Sequence, residues 1–185
     1  MKSEGKIIII TGEIGSGKST LCNQLTAYFR AAGWQVSGLM TRGIFSDNQK
    51  KAIEAININN GDIRLLASYR SQPISDNDKL LPLHWDFNPA ALAWGNQVFL
   101  DTGLTDLLVV DELGPLEMNR NQGWTAAISV LDGRKFRLAL LVLRPSLLTH
   151  AVKHWPREHV ITLSDVKEIP AIMKKILSDW NIQYI

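Results

Sequence analysis

Residues 7–21 read Ile7-Ile8-Ile9-Ile10-Thr11-Gly12-Glu13-Ile14-Gly15-Ser16-Gly17-Lys18-Ser19-Thr20-Leu21, and the change of texture inside that stretch decides the fold. Four consecutive isoleucines are apolar on both faces, the pattern of a strand buried on both sides of a sheet. Gly12, Gly15 and Gly17 then interrupt the apolar run. Beyond them Leu21, Leu25, Tyr28, Phe29 and Ala32 recur at helical spacing until Gly33 supplies a stop. Strand, glycine-rich turn and helix therefore succeed one another directly.

The turn satisfies GxxxxGK(S/T) through Gly12, Gly17, Lys18 and Ser19, and each residue type has a physical reason to be there. Glycines let backbone N–H groups curl around phosphate oxygens, and the helix N-terminus adds partial positive charge. Lys18 has the reach to meet β- and γ-phosphates, and the Ser19 hydroxyl is a hard oxygen ligand for Mg²⁺. The expected nucleotide-binding set is Gly12, Glu13, Ile14, Gly15, Ser16, Gly17, Lys18, Ser19 and Thr20, with the Glu13 side chain turned away like other loop side chains.

Working outward, Gln35 to Thr41 reads as a second strand, and Ala52–Asn57 and Ile63–Ala67 flank Asn60-Gly61, a hairpin signal. These elements predict an antiparallel insertion over about 43–70. Ser71 to Asp86, with Pro73 and Pro82, reads as a long loop. Asn88-Pro89 has the form of an N-cap with proline at the first helical position, and that helix should end near Gly103. Leu107 to Val110 is another buried strand, Trp124 to Leu131 a helix, Phe136 to Leu143 a strand, Leu147 to Trp155 a helix and His159 to Leu163 a short strand. A last helix places Ile172, Met173, Ile176, Leu177 and Trp180 on one face. Alternating buried strands and helices give an α/β class: one domain over residues 1–185, a mostly parallel sheet with helices on both faces.

The strand Leu107–Val110 delivers Asp111 and Glu112 at its C-terminal end, where ligands bind in open α/β sheets. With a phosphate loop nearby, Asp111 together with Ser19 is expected to hold Mg²⁺ and Glu112 to deprotonate an attacking water. Lys18 and Glu112 are the candidate catalytic residues. Two carboxylates suit hydrolysis better than one, because the metal ligand is not also a free base. Asp111-Glu112-Leu113-Gly114 also fits the DxxG of GTP switches, but no (N/T)KxD lies downstream, which disfavours a guanine-specific switch. Nucleoside triphosphates, ATP, GTP and others, are the expected ligands.

The 185 residues carry a net charge of +2, with 45% hydrophobic and 21% charged residues, globular proportions with no strong nucleic-acid signal. No apolar run is long enough for a membrane span. The single cysteine, Cys22, reads as a buried apolar residue and fits a reducing, cytoplasmic compartment. Trp85, Trp94 and Trp124 offer rings that can stack on a base, although tryptophans at helical spacing more often pack a core; Trp85, in the loop, is the strongest of the three for stacking.

With both elements placed, the chain resembles the P-loop nucleoside-triphosphatase family of the THEP1 type. Gly12, Gly15, Gly17, Lys18, Ser19, Thr20 and Leu21 match the family's GxxGxGK(T/S)T(L), and Asp111-Glu112-Leu113-Gly114-Pro115-Leu116-Glu117-Met118 resembles its DEIGxMEL segment. The resemblance implies a RecA-like core, Mg²⁺ dependence, broad triphosphate use and a catalytic Glu112. It also implies a phosphate contact for Arg144, the residue directly after the Leu138–Leu143 strand. Gly38 to Arg42 matches the family's Gly-Phe-x-Thr only loosely, and the arginine- and glycine-rich segment after it is replaced by Asp47 to Asn60. Two other readings use the same loop: a small nucleotide or metabolite kinase whose acceptor site lies within Ser71–Asp86, and an adaptor whose slow hydrolysis times a protein contact.

Overall fold

The computed structural model describes residues 5–74 and 83–183. The isoleucine run forms β1 (Lys6–Thr11), and the helix after the glycine turn is α1 (Lys18–Ala31). Next come β2 (Val36–Ser46), β3 (Gln49–Asn57), β4 (Ile63–Ile74), β5 (Leu83–Phe87), α2 (Pro89–Leu100) and β6 (Thr105–Leu113). The chain continues through α3 (Pro115–Arg120), α4 (Thr125–Gly133), β7 (Phe136–Leu143), α5 (Leu148–His154), β8 (His159–Thr162) and α6 (Ile169–Asp179).

All eight strands share one sheet in the order β5-β4-β3-β2-β6-β7-β1-β8. The strands β2, β6, β7, β1 and β8 pair in parallel, whereas β3, β4 and β5 pair antiparallel. One strand, β7, separates β1 from β6, the RecA-like arrangement that the resemblance implies. Alternation within single strands divides the core in two. Ile7, Ile9, Leu108, Val110 and Leu141 face one helical layer with Phe99, Trp124 and Leu131, while Ile8, Ile10, Leu107, Val109 and Leu140 face the other with Leu25, Phe29 and Met173. Burial on both faces is why these strands read as unbroken apolar runs.

In the middle of the chain the expected antiparallel part is present, β3 pairing with β4 across the Asn60-Gly61 turn, but it reaches further than expected. The antiparallel part is a continuation of the same sheet: β2 pairs in parallel with β6 through Val36–Leu39 and runs on to pair antiparallel with β3 as far as Ser46. It extends past residue 70 to Phe87, since β4 reaches Ile74 and β5 pairs with it. The expected loop 71–86 is therefore strand at its two ends, and its centre, 75–82, lies outside the described residues. The loop signals mislead because Pro73 sits where the pairing jumps from Tyr69↔Trp85 to Ile74↔Leu83, an irregular stretch that tolerates a missing N–H. The α2 cap is as expected, Asn88 Oδ1 accepting from the Ala90 and Ala91 amides at 3.0 and 3.3 Å. The helix stops at Leu100, short of Gly103. Among the described residues no helix is long and apolar enough to cross a membrane.

The junction of the parallel and antiparallel halves rests on Gly38, which pairs with Val109 at φ 116°. A Cβ there would lie 2.0 Å from the Val109 carbonyl oxygen. Gly38→Ala is therefore expected to lower unfolding stability by roughly 2–4 kcal/mol, through left-handed strain plus forced separation of β2 from β6. Gly103→Ala, with open space around it, should stay within about 0.5 kcal/mol. Urea titration of both variants checks the contrast.

Candidate nucleotide site

The C-terminal ends of β1, β7 and β6 lie side by side, so the residues just past them share one edge of the sheet. After β1 the chain turns through 12–17, with Gly15 and Gly17 at φ 84° and 99°, values a side chain rarely adopts. Gly17 is the α1 N-cap and no side chain bonds the first amides of that helix. Those amides can therefore bind an anion. Ile14, at the top of the turn, is 94% exposed, so the Glu13 and Ile14 side chains belong to the rim and only their backbone faces the turn.

Lys18 is buried and its Nζ donates to the Gly12 and Glu13 carbonyls, both at 2.8 Å. The ammonium thus lies along the loop that an anion would enter. One residue on, Ser19 Oγ donates to Asp111 Oδ1 at 3.3 Å, across 92 residues of sequence. Asp111 is fully buried, and its second oxygen accepts the Thr41 backbone N–H at 3.3 Å. Ser19 and Asp111 are hard oxygen donors within reach of one small cation. Among the described residues no group of three or more His, Cys, Asp or Glu can hold a metal. Two protein oxygens completed by phosphate and water match how Mg²⁺ is ordinarily held beside a nucleotide, and the residues present fit that ion.

The pairing of β6 with β7 jumps from Val110↔Leu141 to Leu113↔Leu143, so Asp111 and Glu112 together oppose the single residue Val142. The Asp111–Glu112 peptide is cis. Within this bulge Asp111 is buried against Ser19 while Glu112 stays half-exposed, its Oε1 accepting from Arg144 Nε at 2.6 Å. Arg144 comes directly after β7, the strand between loop and carboxylates. The structure therefore brings Lys18, Ser19, Asp111, Glu112 and Arg144 to one edge, with Thr20 on the first turn of α1.

Two residues that lie within the motif stretches take on a role only in the structure. The first is Thr41, whose backbone N–H carries no sequence signal. The second is Glu117, buried, with Oε2 accepting from the Gly114 N–H at 2.8 Å and Oε1 from the Trp124 N–H at 3.0 Å. Desolvation pushes its carboxyl pKa up, partly offset by these bonds. It ties the start of α3 to the start of α4 and so braces the segment downstream of Glu112. Gly114-Pro115 with Glu117 two residues later is a helix-start pattern that sequence alone contains. Trp124 is a buried core residue and Trp94 packs against the same cluster, whereas Trp85 borders a cavity of about 470 Å³ that opens beside Glu112 and Arg144. Cys22 is buried, and its thiol pKa is raised first by desolvation and then by the Asp111 charge.

Burial raises the Asp111 carboxyl from 3.8 to about 6, the Thr41 N–H, the Ser19 hydroxyl and Lys18 opposing this and the Glu112 charge adding to it. An acid held above its unfolded pKa contributes stability that is complete below about pH 4 and lost as pH rises through about 6. Ionised in metal-free protein, it costs on the order of 3 kcal/mol. In EDTA, Asp111→Asn should therefore melt higher than wild type at pH 8, with the gap closing toward pH 5. A scanning calorimetry series over pH measures this, and a constant gap would contradict the assignment.

With that geometry in hand, comparison with known proteins is specific. The NTPase family model matches residues 7–176, a span containing every residue of the site. The nucleoside-triphosphatase THEP1 of Caldivirga maquilingensis is 27% identical over 135 residues, covering 73% of this chain and 74% of that one. THEP1 of Pyrococcus abyssi is 27% identical over 130 residues, 70% of each chain. In fold, the solution structure of a human cancer-related nucleoside triphosphatase superposes with a TM-score of 0.69 at 14% identity, over 95% of this chain and 97% of that one. The crystal structure of THEP1 from Aquifex aeolicus gives 0.64 at 18% identity, over 93% and 97%. A family model spanning nearly the whole sheet, with its loop and acidic strand end, shows that this chain belongs to the NTPase family.

Proposed function

We propose that this protein is a Mg²⁺-dependent nucleoside triphosphatase that converts several triphosphates, ATP and GTP among them, to diphosphate and phosphate. The observation that carries the reading is the Ser19 to Asp111 contact of 3.3 Å, which joins the phosphate loop to the acidic strand end at a point suited to a small hard cation. The curated relatives named nucleoside-triphosphatase point the same way.

In this reading the amides of 12–20 wrap the phosphates, and Lys18 exchanges the Gly12 and Glu13 carbonyls for β- and γ-phosphate oxygens. Ser19 and Asp111 would hold Mg²⁺, which when bound would supply neutralisation of the phosphate charge. Glu112 orients a water and takes its proton as the water oxygen bonds to the γ-phosphorus and the diphosphate leaves. Arg144 competes for the Glu112 carboxylate, since its Nε donates to Oε1. A triphosphate offers Arg144 better partners, so arrival of substrate frees the base and places a cation on the transferring group. The base is left unread: the chain has no (N/T)KxD. A cytoplasmic setting completes the reading, supported by the single, buried cysteine.

Glu112→Gln keeps shape and removes the base, so kcat should fall by about 10²- to 10⁴-fold while MgATP binds as before. Arg144→Ala should lower kcat on the order of 10²-fold, and Arg144→Lys should not restore it, because the planar fork is lost. Phosphate-release kinetics with calorimetric binding separate these from Lys18→Ala, which should lose binding itself. If Glu112→Gln hydrolyses at the wild-type rate, the mechanism is wrong. ATP, GTP, CTP and UTP should be hydrolysed within roughly tenfold of one another, about 1.4 kcal/mol of discrimination; a hundredfold preference for GTP would instead restore the switch reading.

A further inference from the structure

The cavity beside Glu112 has no task in hydrolysis. At about 470 Å³ it lies in the range of small-molecule sites, roughly 300–1,000 Å³, whereas an attacking water needs about 30 Å³. Its walls are Ile53 on β3, Leu66 on β4, Leu92 on α2, and His84, Trp85 and Phe87 on β5. These walls are apolar and aromatic, and Lys50, Arg120 and Arg144 add cationic side chains to the same lining. None of residues 12–20 borders it; it meets the site at Thr41, Glu112 and Arg144.

That position decides what fits. A triphosphate held by the loop amides and Lys18, with Ser19 and Asp111 on the cation side of it, would have its γ-end toward Glu112 and its base at the far end. The molecule in the cavity is therefore a second one, adjacent to the γ-phosphate. Its flat aromatic walls favour a planar ring. Lys50 adds a cation to the lining, with Nζ 5.7 Å from the Trp85 ring centroid and no ion pair among the described residues. Of the two carboxylates at the described lining, Glu112 is the one with a proton-accepting role to play, because both Glu117 oxygens are bonded to backbone amides.

We propose that this cavity is an acceptor site for a small heteroaromatic alcohol of nucleoside type, and that the protein transfers the γ-phosphoryl group to its hydroxyl as well as to water. The acceptor oxygen bonds to the γ-phosphorus, the bond to the diphosphate oxygen breaks, and the hydroxyl proton passes to Glu112. The inference rests on the reading of Glu112 as the base for water, and it extends that role to a second nucleophile.

The test uses the full chain with Mg²⁺ and γ-labelled ATP, with and without adenosine, guanosine, cytidine, uridine or pyridoxine, resolving labelled acceptor from free phosphate. At least one acceptor should become labelled. Leu92→Phe, which fills the cavity, should cut transfer at least tenfold while phosphate release without acceptor stays within twofold. Trp85→Ala, which enlarges the cavity, should raise the acceptor KM at least tenfold and so gives a second readout if Leu92→Phe folds poorly. Phosphate release with no labelled acceptor from any of the five overturns the inference and leaves the hydrolase reading standing. Labelled acceptor without phosphate release in its absence upholds the acceptor site and overturns both hydrolysis and the share of transfer given to water. Transfer that neither variant changes overturns the assignment of the cavity.

Discussion

The parallel pairing of β1, β7 and β6 is the constraint on which everything else depends. It brings Thr11 level with Leu143 and Val110 level with Leu141, so the three strands finish at one edge and the loops leaving them converge there. Parallel neighbours cannot be joined by tight turns. The intervening helices are consequently forced onto the two faces, where they bury the strands that hold the edge in place. The phosphate loop, Arg144 and the two carboxylates are far apart in sequence and adjacent only because of this pairing.

Electrostatics work against the same edge. Asp111 is a fully buried acid whose environment favours its proton, and two donors, the Ser19 hydroxyl and the Thr41 N–H, offset that cost without removing it. A cation beside Asp111 would lower that cost further. Lys18 and Arg144 are handled differently: each is satisfied locally, one by loop carbonyls and one by Glu112. A ligand would have to replace these contacts.

Legibility in the sequence depends on how local each signal is. Strands buried on both faces announce themselves as apolar runs, and the phosphate loop is contiguous, so β1, α1, β6, β7 and the edge they form can be read directly. The contact between Ser19 and Asp111 is inferable because both ends carry motifs. Thr41 is not, since a backbone N–H looks the same in every residue. The antiparallel arm is hard to read for a related reason: Tyr69, Trp85 and Phe87 lie among polar residues and a proline, and only cross-strand pairing makes strands of them. The small helix α3 is hidden inside a segment that reads as motif, although its proline and Glu117 spell a helix start.

β2 has two different neighbours along its length, and in mechanical terms it is a cantilever. Val36–Leu39 is clamped to the parallel β6, and the remainder projects with β3 out to Ser46. Thr41 sits just beyond the clamp, where the beam leaves its support and where its N–H meets Asp111. The turn at Asp47 and Asn48, both at positive φ, is the free end, and changes of length there load the beam little. A bend at the root is another matter, because Thr41 both borders the cavity and steadies the buried carboxylate. Deflection of the arm and the position of the Asp111 oxygen are thus two readings of one strain.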